Sequence, residues 1–187
     1  MSGRRGFIVG SVSALGLILL VRGKGGLLNL AQAKSADGFV DLVLFNDAGK
    51  SLGASRVAKV IKSDAEWRAQ LTPLQFEVAR QHGTERAYTG DTYNLHDRGL
   101  YRCICCGNAL FSSTTKYDSG TGWPSFWAPI AQQNVRTAND TTLGMLRSEV
   151  SCVQCDAHLG HVFDDGPPPT HLRYCMNSAS LKFAKEA

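Results

Sequence analysis

The sequence predicts a single, mainly β domain with two short helices on its N-terminal side. From Tyr88 onward, short apolar or aromatic runs alternate with clusters of Gly, Asn, Asp, Ser and Pro. That pattern is typical of antiparallel strands joined by loops. Two helix-start patterns stand upstream of this region, at Ser63 and at Thr72. The chain has 187 residues, which is the length of one domain with a short appendage.

The first predicted element is a strand over 39–45, where apolar residues dominate, followed by turn residues at 46–49. A helix is then predicted to begin at Ser63. Ser63 and Glu66 form a capping-box pattern, and Trp67 begins the apolar face of that helix.

The second helix is predicted to begin at Thr72, because Pro73 suits the first helical position. Gly83 is a suitable stop for this helix, since glycine adopts the left-handed conformation that often ends a helix. The side chains expected on its buried side are Leu74, Phe76 and Val78.

The charge of the chain is concentrated at its N-terminus. The formal net charge is +4, but residues 1–33 contain four basic residues and no acidic residue. The remainder therefore carries 16 basic and 16 acidic side chains. A neutral body provides no net field for phosphates, so nucleic acid is not an expected partner.

The N-terminal segment reads as an export signal. Arg4 and Arg5 precede an uncharged, moderately apolar run over 7–21, and a small-residue stretch ends at Ala33. These features predict a signal peptide over 1–33, similar to twin-arginine signals, followed by one domain over 34–187. We therefore expect an exported, periplasmic protein. If the segment is not cleaved, it would tether the domain to the membrane.

Four of the six cysteines form two C-x-x-C pairs, which predict a structural zinc site. Each pair can place two thiolates on one tight turn, and two such turns complete a tetrahedral set. Thiolates also suit iron, and exported cysteines can instead form disulfides or redox pairs. A further alternative uses His158 and His161 as ligands beside the second pair. The four cysteines are Cys103, Cys106, Cys152 and Cys155.

The other two cysteines differ in their surroundings. Cys105 lies inside the first C-x-x-C pair and is interpreted as a small buried filler. Cys175 lies in an alternating, strand-like segment that places Arg173, Cys175 and Asn177 on one side. A guanidinium beside a thiol favours the nucleophilic thiolate. Cys175 is therefore either a candidate nucleophile or a buried strand cysteine.

Three segments with the doubled C-x-x-C closely resemble the B-type methionine sulfoxide reductases. The segments are 120–127 (GTGWPSFW), 158–163 (HLGHVF) and 173–181 (RYCMNSASL), and the likeness extends from about Trp67 to Phe183. The resemblance implies a β-fold of two antiparallel sheets with N-terminal helices. It also implies reduction of the R epimer of methionine sulfoxide in proteins.

The resemblance further implies a role for each matching residue. Cys175 would attack the sulfoxide sulfur and become a sulfenic acid, and His158 and His161 would surround the sulfoxide oxygen. The substrate would contact Trp123, whose indole would receive the S-methyl group, and Phe126. Arg173 and Asn177 would support the site. Zinc would be held away from the chemistry by Cys103, Cys106, Cys152 and Cys155.

One position departs from the family pattern. Many members carry a resolving cysteine in the Gly-x-Gly-Trp-Pro segment, where this chain has Thr121. Threonine cannot form a disulfide with Cys175. Reduction of the oxidised Cys175 must then use Cys105, a zinc cysteine or an outside thiol. We expect an outside thiol, supplied by a thioredoxin-like or membrane-relayed reductant. We also expect the enzyme to be a monomer.

Two functions of other classes compete with this interpretation. A zinc-ribbon module that binds protein or nucleic acid would also use the doubled C-x-x-C. A zinc-dependent hydrolase would use His158 and His161 around an open metal position.

Overall fold

The computed structural model describes residues 38–140 and 147–186. The predicted export signal over 1–33 and its cleavage after Ala33 lie outside the described residues. Within the described part of the chain, no helix combines the length and apolar character needed to cross a membrane.

The described residues begin with a β-hairpin. Strand β1 (Phe39–Phe45) pairs in antiparallel register with β2 (Ser51–Ala58). Val40 and Leu42 of β1 pack with Val153 in a small apolar cluster of their own. The prediction of a strand over 39–45 is confirmed. The sequence did not predict β2, because most of its side chains are exposed and show no apolar alternation.

Two short helices follow the hairpin, as predicted. They are α1 (Asp64–Gln70) and α2 (Pro73–Gln81), and both begin with a capping box whose two reciprocal hydrogen bonds are present. Helix α2 ends at Gln81, and the residue that caps it, His82, adopts the left-handed conformation one residue before the predicted stop, Gly83. The prediction that Leu74 is buried is wrong, because it lies on the solvent side of α2.

Two antiparallel sheets form the rest of the domain, which confirms the predicted fold class. The three-stranded sheet has the order β11-β3-β4, and the six-stranded sheet has the order β5-β6-β10-β9-β8-β7. The strands are β3 (Gly99–Cys103), β4 (Ala109–Ser112), β5 (Lys116–Tyr117), β6 (Ser125–Phe126), β7 (Val135–Asp140), β8 (Arg147–Cys152), β9 (His158–Phe163), β10 (Arg173–Met176) and β11 (Leu181–Lys185).

The main core contains residues from both helices and both sheets. Its aromatic centre joins the sheets, because Tyr101 of β3 lies edge-on to Phe126 of β6 with ring centroids 4.9 Å apart. Phe111 of β4 stacks on the same ring at 4.5 Å. Trp67 of α1 belongs to the same buried cluster. Such aromatic pairs fix the relative position of the sheets and hence of the strands that carry the site.

Candidate active site and metal centre

Pairing in the six-stranded sheet aligns five residues in one row across five strands. Tyr117 pairs with Ser125, Ser125 with Cys175, Cys175 with His161, and His161 with Glu149. Directly opposed residues of antiparallel strands point to the same face of the sheet. The candidate nucleophile therefore has a hydroxyl side chain on one side and an imidazole on the other.

An irregularity in β9 brings the second histidine to this face. Residues three apart in a regular strand point to opposite faces. Here Val150 pairs with Gly160 while Ser151 pairs with His158, so β9 carries one extra residue between the two pairs. The rings of His158 and His161 consequently lie 5.4 Å apart. Both histidines therefore belong to a bulged strand.

Gly160 allows β9 and β10 to approach each other at the nucleophile. A Cβ atom at this position would lie 2.1 Å from the carbonyl oxygen of Cys175 and 2.9 Å from the Cα of Met176. Real side chains do not tolerate such contacts, so only glycine fits here. Nothing in the local sequence distinguishes this glycine from the other glycines of the chain.

The Cys175 thiol is partly buried beside a cation and two hydroxyls. Burial raises the pKa of this thiol, and the Arg173 guanidinium offsets part of that rise. Thr121 and Ser125 act in the same direction as Arg173, and the Thr121 Oγ1 lies 4.0 Å from the Cys175 Sγ. The guanidinium therefore favours the thiolate, as predicted, but its effect is smaller than that of burial.

Arg173 is held by an acidic residue that the sequence analysis missed. Its Nε and Nη2 donate to the two carboxylate oxygens of Asp165, each at 2.8 Å, and its guanidinium lies 4.4 Å from the centroid of the Phe163 ring. These bonds lower the pKa of Asp165 and raise that of Arg173. A bidentate pair of this kind fixes the guanidinium plane beside the thiol.

Trp123 is bonded to the main chain of Glu85, a buried acidic residue that the sequence did not reveal. The indole Nε1 donates to the main-chain oxygen of Glu85 at 3.2 Å. The Glu85 carboxylate accepts bonds from the main-chain N–H groups of Ser178 and Ala179 at 2.6 and 2.8 Å. Glu85 thus connects the indole to the turn that follows the Cys175 strand.

Asn177 supports that turn instead of continuing the strand. Strand β10 ends at Met176, and Asn177 is buried. Its side-chain amide donates to the main-chain oxygen of Leu159 at 3.1 Å, and its side-chain oxygen accepts the N–H of Glu85 at 3.1 Å. Strand β10 thus stops one residue short of the alternation predicted from Arg173 through Cys175 to Asn177, and both polar groups of the Asn177 side chain bind the main chain.

The side chain of Phe126 does not lie on the face of the sheet that carries Cys175. Its side chain is 0% exposed and packs between the rings of Tyr101 and Phe111. The prediction that Phe126 contacts substrate is wrong, because a side chain with no exposed surface is a core residue. Its main chain nevertheless helps to place the nucleophile, since Phe126 pairs with Tyr174 next to Cys175.

The four cysteines of the two C-x-x-C pairs converge on one point. The Sγ atoms of Cys103 and Cys155 lie 3.6 Å apart, as do those of Cys106 and Cys152. A tetrahedron with bonds of ~2.3 Å to sulfur has edges of about 3.8 Å. The set therefore fits a metal ion and, with four protein ligands, leaves no open position of the kind a metal hydrolase requires.

The alternatives for these cysteines receive no support from the geometry. All six cysteines lie in the described residues, and all are free. His158 groups with His82 and Glu149, and neither His158 nor His161 joins the cysteine cluster. Cys105 is buried beside the cluster but is not one of its four members, in agreement with its interpretation as a filler.

The N-terminal hairpin leads directly onto the second knuckle (152–155). The main-chain N–H of Val60 donates to the main-chain oxygen of Gln154 at 2.8 Å. The Lys59 Nζ forms an ion pair with Asp156, at 2.7 and 2.8 Å from its two carboxylate oxygens. Since Val153 also packs with Val40 and Leu42, the hairpin and the residues after it lie against the second knuckle.

The Cys175 thiol is partly buried and lies opposite an imidazole, and four of the other cysteines converge on a separate site that suits a metal ion. This is the arrangement of a thiol-dependent oxidoreductase. A family model described as the SelR domain matches residues 71–185, which leaves the hairpin outside the matched range.

Known proteins give the same family. The chain is 59% identical to the peptide methionine sulfoxide reductase MsrB of Thiobacillus denitrificans, over 122 residues that make up 65% of this chain and 92% of the relative. It is 58% identical to MsrB of Hahella chejuensis, over 67% of this chain and 90% of the relative. It is 56% identical to MsrB of Leptospira interrogans, over 68% and 98%. The chain belongs to the MsrB family of peptide methionine sulfoxide reductases, which act on oxidised methionine in proteins.

Proposed function

We propose that this enzyme reduces the R epimer of methionine sulfoxide with Cys175 as its nucleophile. The observation that carries the proposal is the pairing of Cys175 with His161 across β10 and β9, with the bulge bringing His158 to the same face. A thiol and two imidazoles on one face can combine nucleophilic attack with proton delivery.

The first half of the reaction transfers oxygen from sulfur to sulfur. The Cys175 thiolate attacks the sulfoxide sulfur, and His161 helps to protonate the sulfoxide oxygen, which leaves as water when the S–O bond breaks. Water then attacks the sulfur of Cys175, the bond between the two sulfurs breaks, and methionine is released with its electron pair. Substrate sulfur is reduced to the thioether of methionine, and Cys175 is oxidised to a sulfenic acid. Arg173, fixed by Asp165, stabilises the thiolate that begins this step.

The preference for one epimer depends on two surfaces. The S-methyl group packs on the indole of Trp123 through apolar and sulfur–aromatic contact, while the oxygen faces the histidines. The other epimer cannot satisfy both contacts at once. The bond from Trp123 to Glu85 supports this role, because it holds the indole in one orientation.

The second half of the reaction requires a thiol from outside the chain. Four cysteines gather at the metal centre, Cys105 is buried in the first knuckle, and Thr121 lies next to Cys175 where a resolving cysteine would be needed. An external thiol attacks the sulfenic acid, releasing water and forming a mixed disulfide. A second thiol of the same reductant then frees Cys175. A thioredoxin-like or membrane-relayed dithiol supplies both sulfurs.

The metal centre is proposed to hold structural zinc in a monomeric enzyme. Cys103, Cys106, Cys152 and Cys155 would bind it, and the metal would supply folding stability by joining the two knuckles. The 3.6 Å separations between thiols support a tetrahedral ion of this size. Metal analysis of the purified protein distinguishes zinc from iron.

We also propose that residues 1–33 export the domain, which would then repair oxidised proteins outside the cytoplasm. The support is the basic start, the uncharged run and the small residues before Lys34. Fusion of 1–33 to a reporter followed by cell fractionation tests this proposal. A periplasmic reporter supports cleavage, a membrane-bound reporter supports a tether, and a cytoplasmic reporter refutes export.

The deciding experiment measures turnover of separate R and S epimers of a methionine sulfoxide peptide with dithiothreitol. We expect wild-type protein to consume only the R epimer and Cys175→Ser to consume neither. Activity retained by folded Cys175→Ser would refute the nucleophile. Absence of R turnover by folded, metal-loaded wild type would refute the epimer assignment.

A further inference from the structure

We propose that Glu149 is a positioning residue that fixes the ring of His158 beside the nucleophile, and that His82 in turn holds Glu149. This inference rests on the proposed function, because it assigns His158 a part in the reaction. It adds two residues that the sequence analysis did not select.

One oxygen atom joins the three side chains. The Glu149 Oε1 lies 2.7 Å from the Nδ1 of His158 and 2.8 Å from the Nδ1 of His82. A carboxylate can only accept hydrogen bonds, so both imidazoles must carry a proton on Nδ1. The His158 hydrogen bond is also the main reason why the pKa of Glu149 is lowered.

Glu149 therefore determines which nitrogen of His158 is left for substrate. The side chain of His158 is 2% exposed, and its Nε2 is buried without a hydrogen-bond partner among the described residues. A buried polar atom without a partner is unfavourable unless a ligand satisfies it. With Nδ1 bound to Glu149, the Nε2 is the ring nitrogen left to meet the sulfoxide oxygen, and it donates to that oxygen when it carries a proton.

The location of Glu149 suits this role. It pairs with His161 across β8 and β9, and His161 pairs with Cys175, so the carboxylate belongs to the row that contains the nucleophile. The ring of His158 lies 5.4 Å from that of His161. A carboxylate in this row can orient His158 without touching substrate.

His82 approaches from the end of α2 and not from the sheet. Its left-handed backbone, with φ of 57°, ends the helix, and its ring lies 5.3 Å from that of His158. The side chain of His82 is 63% exposed, whereas that of Glu149 is 22% exposed. A polar contact made by an exposed side chain contributes little to stability, so loss of His82 should alter orientation more than folding.

The test compares kinetics, tautomer state and stability in Glu149→Gln, Glu149→Ala and His82→Gly. Glutamine keeps the size of the side chain but removes its charge, and glycine keeps the left-handed backbone at position 82. For the R epimer we expect kcat to fall about 10-fold in Glu149→Gln, about 100-fold in Glu149→Ala and about 3-fold in His82→Gly, with KM nearly unchanged.

The protonation pattern of His158 distinguishes a positioning role of Glu149 from a merely structural one, because only a positioning role would change it. Nitrogen-15 NMR of the imidazole should show a proton fixed on Nδ1 in wild type and a mixture with the Nε2 tautomer in Glu149→Ala. The matched control is His171→Asn, which removes another histidine with a left-handed backbone. His171 lies outside the cluster of His82, Glu149 and His158. This variant should therefore keep the wild-type kcat, KM and His158 spectrum.

The outcomes separate this inference from the proposed function. Wild-type kcat and an unchanged His158 spectrum in both Glu149 variants would overturn the inference while the enzyme assignment stands. If Glu149→Ala unfolds, the isosteric Glu149→Gln decides, because folded Glu149→Gln with wild-type kcat also overturns it. A wild-type enzyme without R-epimer activity would instead refute the proposed function.

Discussion

Replacing Leu42 with alanine tests whether the N-terminal hairpin protects the metal centre. Leu42 is 1% exposed and packs with Val40 and Val153, and Val153 lies between the two cysteines of the second knuckle. The substitution removes the Cγ and both Cδ atoms, which at ~0.8 kcal/mol per carbon gives about 2.4 kcal/mol of lost transfer free energy. Measured Leu→Ala costs in cores are about 2–5 kcal/mol. Since the hairpin can settle into the space, we expect about 2.5 kcal/mol.

The stability lost in Leu42→Ala can be observed in two ways. If the hairpin unfolds together with the domain, the melting temperature should fall by about 5–10 °C, at about 2–4 °C per kcal/mol for a domain of this size. If the hairpin detaches first, the melting temperature changes less. The detached state should then become about 60-fold more populated, because 1.4 kcal/mol corresponds to a factor of ten.

Two assays distinguish these cases. Circular dichroism gives the melting temperature, and a colorimetric chelator gives the rate at which zinc-loaded protein releases its metal. We expect faster release in Leu42→Ala in either case. The matched control is Leu52→Ala on β2, whose side chain is 63% exposed and whose truncation should cost less than about 0.5 kcal/mol. Equal release rates for Leu42→Ala, Leu52→Ala and wild type would refute the protective role of the hairpin.

Three further predictions concern the thiols. Thr121→Cys should form a disulfide with Cys175 after one turnover, because the Thr121 Oγ1 lies 4.0 Å from the Cys175 Sγ. Dimedone, which reacts with sulfenic acids, should then label Cys175 in the wild type but not in this variant. Equal labelling would contradict the prediction. Cys103→Ser should lose its bound metal, whereas Cys105→Ser should retain it, since Cys105 is not one of the four converging thiols. Mass spectrometry of the intact protein measures the bound metal. Equal loss in both variants would contradict the assignment of the four cysteines as ligands. Arg173→Ala should move the alkylation of Cys175 by iodoacetamide to higher pH. Burial raises the pKa of the thiol above its ordinary value of 9.0, and the substitution removes the guanidinium that offsets part of this rise. An unchanged pH profile would show that Arg173 does not act on the thiol.

Local patterns were sufficient for the elements whose signals lie within a few residues. The two capping boxes predicted both helices, and the apolar run before a turn predicted β1. Strand β2 escaped prediction because it is exposed on most of its length. Leu74 was misplaced because an apolar residue on a short helix does not by itself report which side faces the core.

The candidate site depended on the order of strands. Asp165, Glu85, Glu149 and His82 each act through partners that lie at other positions of the chain, so no local spacing marked them. The family resemblance implied that Phe126 contacts substrate, but strand alternation and the second sheet place its ring in the core.

The sequence by itself determined the chemistry available to this protein. It supplied two thiol pairs with metal-binding spacing, one separate thiol beside an arginine, and no cysteine at Thr121. Only the tertiary structure decided how these groups meet. The bulge in β9 brings two histidines to one face, and the pairing of five strands aligns that face with Cys175 and Glu149. Register and bulges arise from contacts between distant strands, and those contacts form only when the whole sheet is assembled.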